Sequence, residues 1–129
     1  MAQTVLVIDD ERGYRDLLEL ELSSQGFHVL TASNGCQALD LIAKNTVNLV
    51  ITDMRMPEMD GLDVIKAVKE RYPGLPVVLM TAYAIEARVE EALKLHPASF
   101  LRKPFHMSQL KDVVDNLPGS DGHKDSPPA

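Results

Sequence analysis

Two kinds of hydrophobic pattern alternate along the chain. One is a short run that is apolar at every position. The other is a stretch in which apolar residues recur every three or four positions. Val5-Leu6-Val7-Ile8 is of the first kind and predicts a strand buried on both faces. It stops at Asp9-Asp10-Glu11. Tyr14, Leu17, Leu18 and Leu22 then form one stripe, predicting a helix that Gly26 ends. Phe27-His28-Val29-Leu30-Thr31 predicts a second strand, Asn34-Gly35 a turn, and Ala38, Leu39 and Ile42 a short helix. Leu49-Val50-Ile51, rich in β-branched residues, predicts a third buried strand that ends at Thr52-Asp53. Met56-Pro57 and Asp60-Gly61 follow as turn signals.

The alternation continues in the second half. Asp60 is placed to cap a helix whose Leu62, Ile65 and Val68 face inward, with Asp63 near the positive end of its dipole and Pro73-Gly74 at its end. Pro76-Val77-Val78-Leu79-Met80 predicts strand four, ending at Thr81. Ile85, Val89 and Leu93 give a thin stripe on a charged helix. Ser99-Phe100-Leu101 predicts a short fifth strand, followed by Arg102-Lys103-Pro104-Phe105. Met107, Leu110, Val113, Val114 and Leu117 predict the last helix. From Pro118 the chain has no large apolar residue, so residues 118–129 are expected to form a flexible tail or linker after one domain spanning 1–117.

Strands alternating with helices predict an α/β fold: a single doubly wound, five-stranded parallel sheet with helices on both faces and right-handed crossovers. A length of 129 residues suits one domain with a real core. The formal net charge of -6 makes the chain a poor binder of nucleic acid or anionic membrane. Cys36 is the single cysteine, so no internal disulfide forms. No basic segment precedes the first acids and no apolar run reaches membrane-spanning length, so no signal peptide, no membrane contact and a cytoplasmic location are expected. His28, His96, His106 and His123 lack metal-ligand spacing.

In an open parallel sheet, functional groups gather beyond the carboxyl ends of the strands. Asp9, Asp10, Asp53, Thr81 and Lys103 all fall there. Three carboxylates together repel unless a cation sits among them, and hard oxygen donors suit Mg²⁺. A metal, an ammonium and a hydroxyl around one carboxylate make a site for a phosphoryl group on Asp53, the nucleophile. Taken singly, each residue has a plainer reading: a helix-start acid pair, a turn acid, a surface lysine. Their joint placement favours the chemical one.

Val5 to Asp10, Asp53 with Met56-Pro57 and Asp60-Gly61, Thr81-Ala82, and Lys103-Pro104-Phe105 resemble the receiver domain of two-component response regulators. The resemblance runs from about Thr4 to Leu117, in order and without a large insertion. It implies the flavodoxin-like strand order 2-1-3-4-5 and a cis Lys103–Pro104 bond. It implies that Asp53 accepts phosphate from a sensor histidine kinase or phosphotransfer protein. It further implies that Asp10, Asp53 and the Arg55 backbone carbonyl bind Mg²⁺, and that Asp9 supports the ion through water. Lys103 would contact the phosphate, with Thr81 and Phe100 as the switch pair. The module would catalyse only its own phosphorylation and dephosphorylation, and would act on an output domain or effector protein. Two departures stand out. Leu95-His96-Pro97-Ala98 replaces the family's frequent Gly-Ala before strand five. His106 replaces an acid after Lys-Pro-Phe, so the cap of the last helix is expected to be weaker or supplied otherwise. Two alternatives remain at this level: an aspartate-nucleophile phosphohydrolase, and a receiver-like interaction domain that is never phosphorylated.

Overall fold

The computed structural model describes residues 3–82 and 87–115. The apolar runs form β1 (Thr4–Ile8), β2 (His28–Ala32), β3 (Leu49–Asp53), β4 (Val77–Thr81) and β5 (Ser99–Arg102). Between and after them lie α1 (Arg12–Ser24), α2 (Gly35–Lys44), α3 (Gly61–Arg71), α4 (Ala87–Lys94) and α5 (Met107–Asp115). All strand pairs are parallel and the order is β2-β1-β3-β4-β5. The α/β reading and the strand order are both borne out.

Alternation along the strands divides the core in two. Leu6 and Ile8 join a cluster with Ala38 and Ile42 of α2, Leu62, Ile65 and Val68 of α3, and Val89 of α4. Val5 and Val7 point the other way, to Leu18 and Leu22 of α1 and Leu110 and Val114 of α5. Burying both sheet faces in this way is what uninterrupted apolar strands require. No helix among the described residues is long and apolar enough to cross a membrane. Ile85, Leu117, His123 and the tail expected over 118–129 lie outside the described residues.

Three local expectations need correction. Leu17 is 44% exposed rather than part of the inward stripe. Tyr14, Leu18 and Leu22 are spaced by four and share a face, whereas Leu17 sits about 100° round the helix from Leu18. Asn34-Gly35 is a helix start rather than a free turn: the Asn34 side chain accepts a hydrogen bond from the Gln37 backbone N–H at 2.8 Å, and Gly35 is the first helical residue. Cys36 therefore lies in α2 and is exposed. Strand ends shift by a residue or so: β2 begins at His28 and β4 at Val77.

The cap of α3 matches its sequence signal. Asp60 and Asp63 form a capping box at the start of α3. Gly61 is needed there for close approach: a Cβ would meet the Asp53 carbonyl oxygen at 2.8 Å and Met54 Cα at 2.9 Å. At the start of α5 the missing acid is replaced by Gln109, whose side chain accepts from the His106 backbone N–H at 2.9 Å.

Candidate functional site

The carboxyl edge of the sheet gathers the polar residues that the core excludes. β1 ends at Ile8, so Asp9 emerges from the sheet; its backbone N–H still donates to the Ala32 carbonyl (3.1 Å). β3 ends on Asp53, whose chain neighbour Met54 donates to the Met80 carbonyl (2.7 Å). β4 ends on Thr81, and the Lys103 N–H donates to the Thr81 carbonyl (2.7 Å), extending the ladder past β5. Three adjacent strands and the chain after a fourth thus set Asp9, Asp53, Thr81 and Lys103 side by side. All four are buried, and Asp10 is exposed beside them.

Lys103 binds the cluster together. Its ammonium donates to Asp9 Oδ2 at 2.6 Å and lies 3.5 Å from Asp53 Oδ1 and 3.6 Å from Glu11 Oε1. The other Asp9 oxygen accepts from the Glu11 backbone N–H (2.9 Å), and Asp53 Oδ1 accepts from the Met54 backbone N–H (3.0 Å). Lys103–Pro104 is cis.

The electrostatics follow from burial. Desolvation, reinforced by the negative charge of Asp9 and opposed by Lys103, raises the Asp53 carboxyl from its ordinary value near 3.8 to about 7. Burial would lower the Lys103 ammonium, but its hydrogen bond to Asp9 and the charges of Asp53 and Asp9 outweigh this and raise it. Lys103 is therefore a fixed cation, while Asp53 is a carboxylate held in surroundings that disfavour its charge.

This arrangement fits a small hard cation. Asp9, Asp10 and Asp53 each offer an oxygen, and these atoms all lie within 4.8 Å of one another. A cleft of about 320 Å³ opens there, lined by Asp10, Glu11, Asp53, Arg55, Ala82 and Lys103, with three acids against two cations. An oxygen-only donor set with room for water suits Mg²⁺. A hollow of about 290 Å³ at the opposite edge has no charged lining residue: Gln3, Val47, Asn48, Gly74, Leu75 and Pro76.

The structure brings together Asp9, Asp10, Asp53, Arg55 and Lys103 as expected, with Thr81 buried at the neighbouring strand end. Phe100 is set back from them, half-buried against the core on the α4 side. Sequence reading missed three contributors. Glu11 approaches Lys103. Arg15 donates from Nη1 to the Asp9 carbonyl (2.8 Å). Tyr14 lays its ring beneath the Lys103 ammonium. All three lie at the opening of α1 just after Asp9-Asp10, and that proximity was the available signal.

Comparison with known proteins agrees with this geometry. The family model described as response regulator receiver domain matches residues 5–115. Sporulation initiation phosphotransferase F of Bacillus subtilis is 34% identical over 114 residues, covering 88% of this chain and 92% of that protein. Response regulator protein FleR of Pseudomonas aeruginosa is 38% identical over 126 residues, 94% of this chain; the chain spans about a quarter (27%) of FleR. Among solved structures, response regulator protein TrrA of Thermotoga maritima, in complex with Mg²⁺ and BeF, has a TM-score of 0.80 and 32% identity, covering 88% of this chain and 96% of that one. With its doubly wound sheet, its acidic cleft and a family match over nearly all the described residues, the chain belongs to the response regulator receiver domains, the phosphorylation-switch modules of two-component signalling.

Proposed function

We propose that Asp53 is the phosphoacceptor and that a sensor histidine kinase or a phosphotransfer protein is the donor. The observation that carries this reading is the placement of the Lys103 ammonium 3.5 Å from Asp53 at the rim of an open, acid-lined cleft. In the transfer, an Asp53 carboxylate oxygen forms a bond to phosphorus as the donor's P–N bond breaks. The bonding pair leaves with the donor imidazole nitrogen. Asp10, Asp53 and the Arg55 backbone carbonyl would hold Mg²⁺, with Asp9 acting through water, and the ion would supply charge neutralisation and orientation. Lys103 turns from the carboxylates to a phosphoryl oxygen and stabilises the charge on the group in flight. Positioning and electrostatics do nearly all the work, so the module catalyses only its own phosphorylation and dephosphorylation.

Thr81 and Phe100 carry the signal outward. The Thr81 hydroxyl binds a phosphoryl oxygen and draws the end of β4 inward. That movement shifts Phe100 against the α4 side of the core, altering the face that an output domain or effector protein reads. An acidic domain of this kind makes no direct nucleic-acid contact, and it works in the cytoplasm.

Mass spectrometry after exposure to a small acyl phosphate with Mg²⁺ tests the assignment. The expected result is a gain of one phosphoryl group that is absent in Asp53→Asn and absent with a chelator. Labelling of Asp53→Asn to the parent's extent would overturn it.

A further inference from the structure

We propose that Tyr14 is a positioning residue for Lys103, an inference that rests on the reading of Lys103 as the phosphoryl contact. The Lys103 ammonium lies 4.1 Å from the centroid of the Tyr14 ring, well within cation–π range. Edge-on, the same ring meets Phe105, at 5.8 Å between centroids and 63° between planes. Tyr14 is thus wedged between the ammonium and the buried aromatic that follows Lys103–Pro104. On the other sides of the ammonium stand Asp9 at 2.6 Å, Asp53 at 3.5 Å and Glu11 at 3.6 Å.

The chemistry of that surround explains why an aromatic ring is useful. An ammonium loses its water shell on burial and needs negative potential on every side. A further carboxylate beneath Lys103 would supply it, but would also compete with the incoming phosphoryl oxygen for the same N–H groups. An aliphatic residue would fill the space and supply no potential. The face of a phenol ring attracts the cation without fixing a hydrogen-bond direction. Lys103 is held in place yet can exchange a carboxylate for a phosphoryl oxygen. Burial raises the Tyr14 phenol above its ordinary pKa, so the ring stays neutral across the physiological range. Helix α1 brings the ring to this spot because Tyr14 shares a face with Leu18 and Leu22, which are fully buried. The packing that seats the helix also seats the ring.

Two variants and two readouts test this. Tyr14→Leu removes the aromatic face, and Tyr14→Phe keeps it. NMR of the Lys103 ε-methylene protons should show ring-current upfield shifts in the parent and in Tyr14→Phe, and values near those of an exposed lysine in Tyr14→Leu. Phosphorylation by a small acyl phosphate at saturating Mg²⁺ should slow about three- to tenfold in Tyr14→Leu and stay within about twofold of the parent in Tyr14→Phe. Mg²⁺ affinity should be unchanged in both, because no carboxylate is touched. Tyr14→Met, whose flexible side chain fills the same space, serves if the leucine variant is poorly folded. A parent-like rate and parent-like Lys103 shifts in the aliphatic variant would overturn the proposal alone. Absence of labelling in all the proteins, parent included, would overturn the phosphoryl reading and this proposal with it.

Discussion

Two ionic clusters flank the loop after β3, and they differ in almost everything except their chemistry. In the first, Lys103 joins Asp9, Asp53 and Glu11; the lysine and the two aspartate side chains are 6%, 0% and 8% exposed. In the second, Arg88 of α4 meets the α3 cap, donating to Asp60 at 2.6 and 3.0 Å and to Asp63 at 3.3 Å, with side chains 45%, 19% and 40% exposed. The exposed cluster has more hydrogen bonds and is self-sufficient: its two acids complete each other's capping box and share one guanidinium. The buried cluster is short of positive charge, because Asp9, Asp10 and Asp53 crowd a single ammonium. A count of ion pairs would rank them the wrong way round. A surface pair is screened and adds little, whereas an incomplete buried one marks a place where a ligand is expected.

Cutting each cluster at its cation gives the largest contrast. Lys103→Met leaves Asp9 buried without its ammonium partner, and removing one member of a buried pair costs about 3 kcal/mol or more. Urea unfolding should show that loss, and Mg²⁺ should restore part of it. Arg88→Met should move the urea midpoint far less, with an effect that shrinks as salt is added and no response to Mg²⁺. Equal losses in the two variants would dissolve the distinction.

Metal binding gives the next contrast. Asp10 is the exposed member of the acidic trio and lines the cleft. Asp10→Ala should weaken Mg²⁺ binding by about tenfold or more in calorimetry, as loss of a ligating carboxylate does. Asp63→Ala, which removes an acid from the exposed cluster, should leave it unchanged.

The smallest effect concerns pH. Burial would raise the Asp60 carboxyl, but its hydrogen bonds from Arg88 outweigh this and hold it below the usual range. A carboxyl lowered in the folded state contributes stability that is fully present above its unfolded value and is lost as pH falls through the folded one. The stability difference between the parent and Arg88→Met should therefore be constant near neutrality and vanish in acid. A difference that grows in acid would mean Arg88 acts through something other than Asp60.

The sequence was most informative where a residue's role depends on its near neighbours. Val5 to Ile8 and Leu49 to Ile51 could only be buried strands, and Asp53 at the end of such a strand could only face the carboxyl edge. The Asp60–Asp63 cap was legible for the same reason, being a three-residue relationship. Leu17 was misassigned because Leu17 and Leu18 are chain neighbours and only one of them can share the face of Tyr14 and Leu22, a choice that packing decides. Asn34-Gly35 looked like a turn because the same pair serves both as a turn and as a cap. The pairings least visible beforehand cross the chain: Arg88 with Asp60 over 28 residues, and the Tyr14 ring beneath Lys103. Nearness to Asp9-Asp10 could flag Tyr14 as a candidate, but nothing local names either partner, since both pairings exist only once α1, α4 and the end of β5 are docked. Lys103 could be placed near the acids only because they stand at strand ends of one sheet; its bond to Asp9, 94 residues away, was not foreseen.

The central claim is that the buried cluster is incomplete without a cation, so the Asp53 carboxylate is a burden on the metal-free fold. Thermal unfolding of Asp53→Asn without Mg²⁺, compared with the parent from pH 5 to pH 8, tests it most directly. Burial and the charge of Asp9 raise the Asp53 carboxyl to about 7. An acid raised in the folded state gives up stability as pH climbs from its unfolded value through the folded one. The variant should therefore gain on the parent as pH rises and melt about 3 °C or more above it at pH 8, with Mg²⁺ narrowing the gap by stabilising only the parent. A variant that melts below the parent at pH 8 would show that Asp53 belongs to a completed structural ion pair, and would contradict the account.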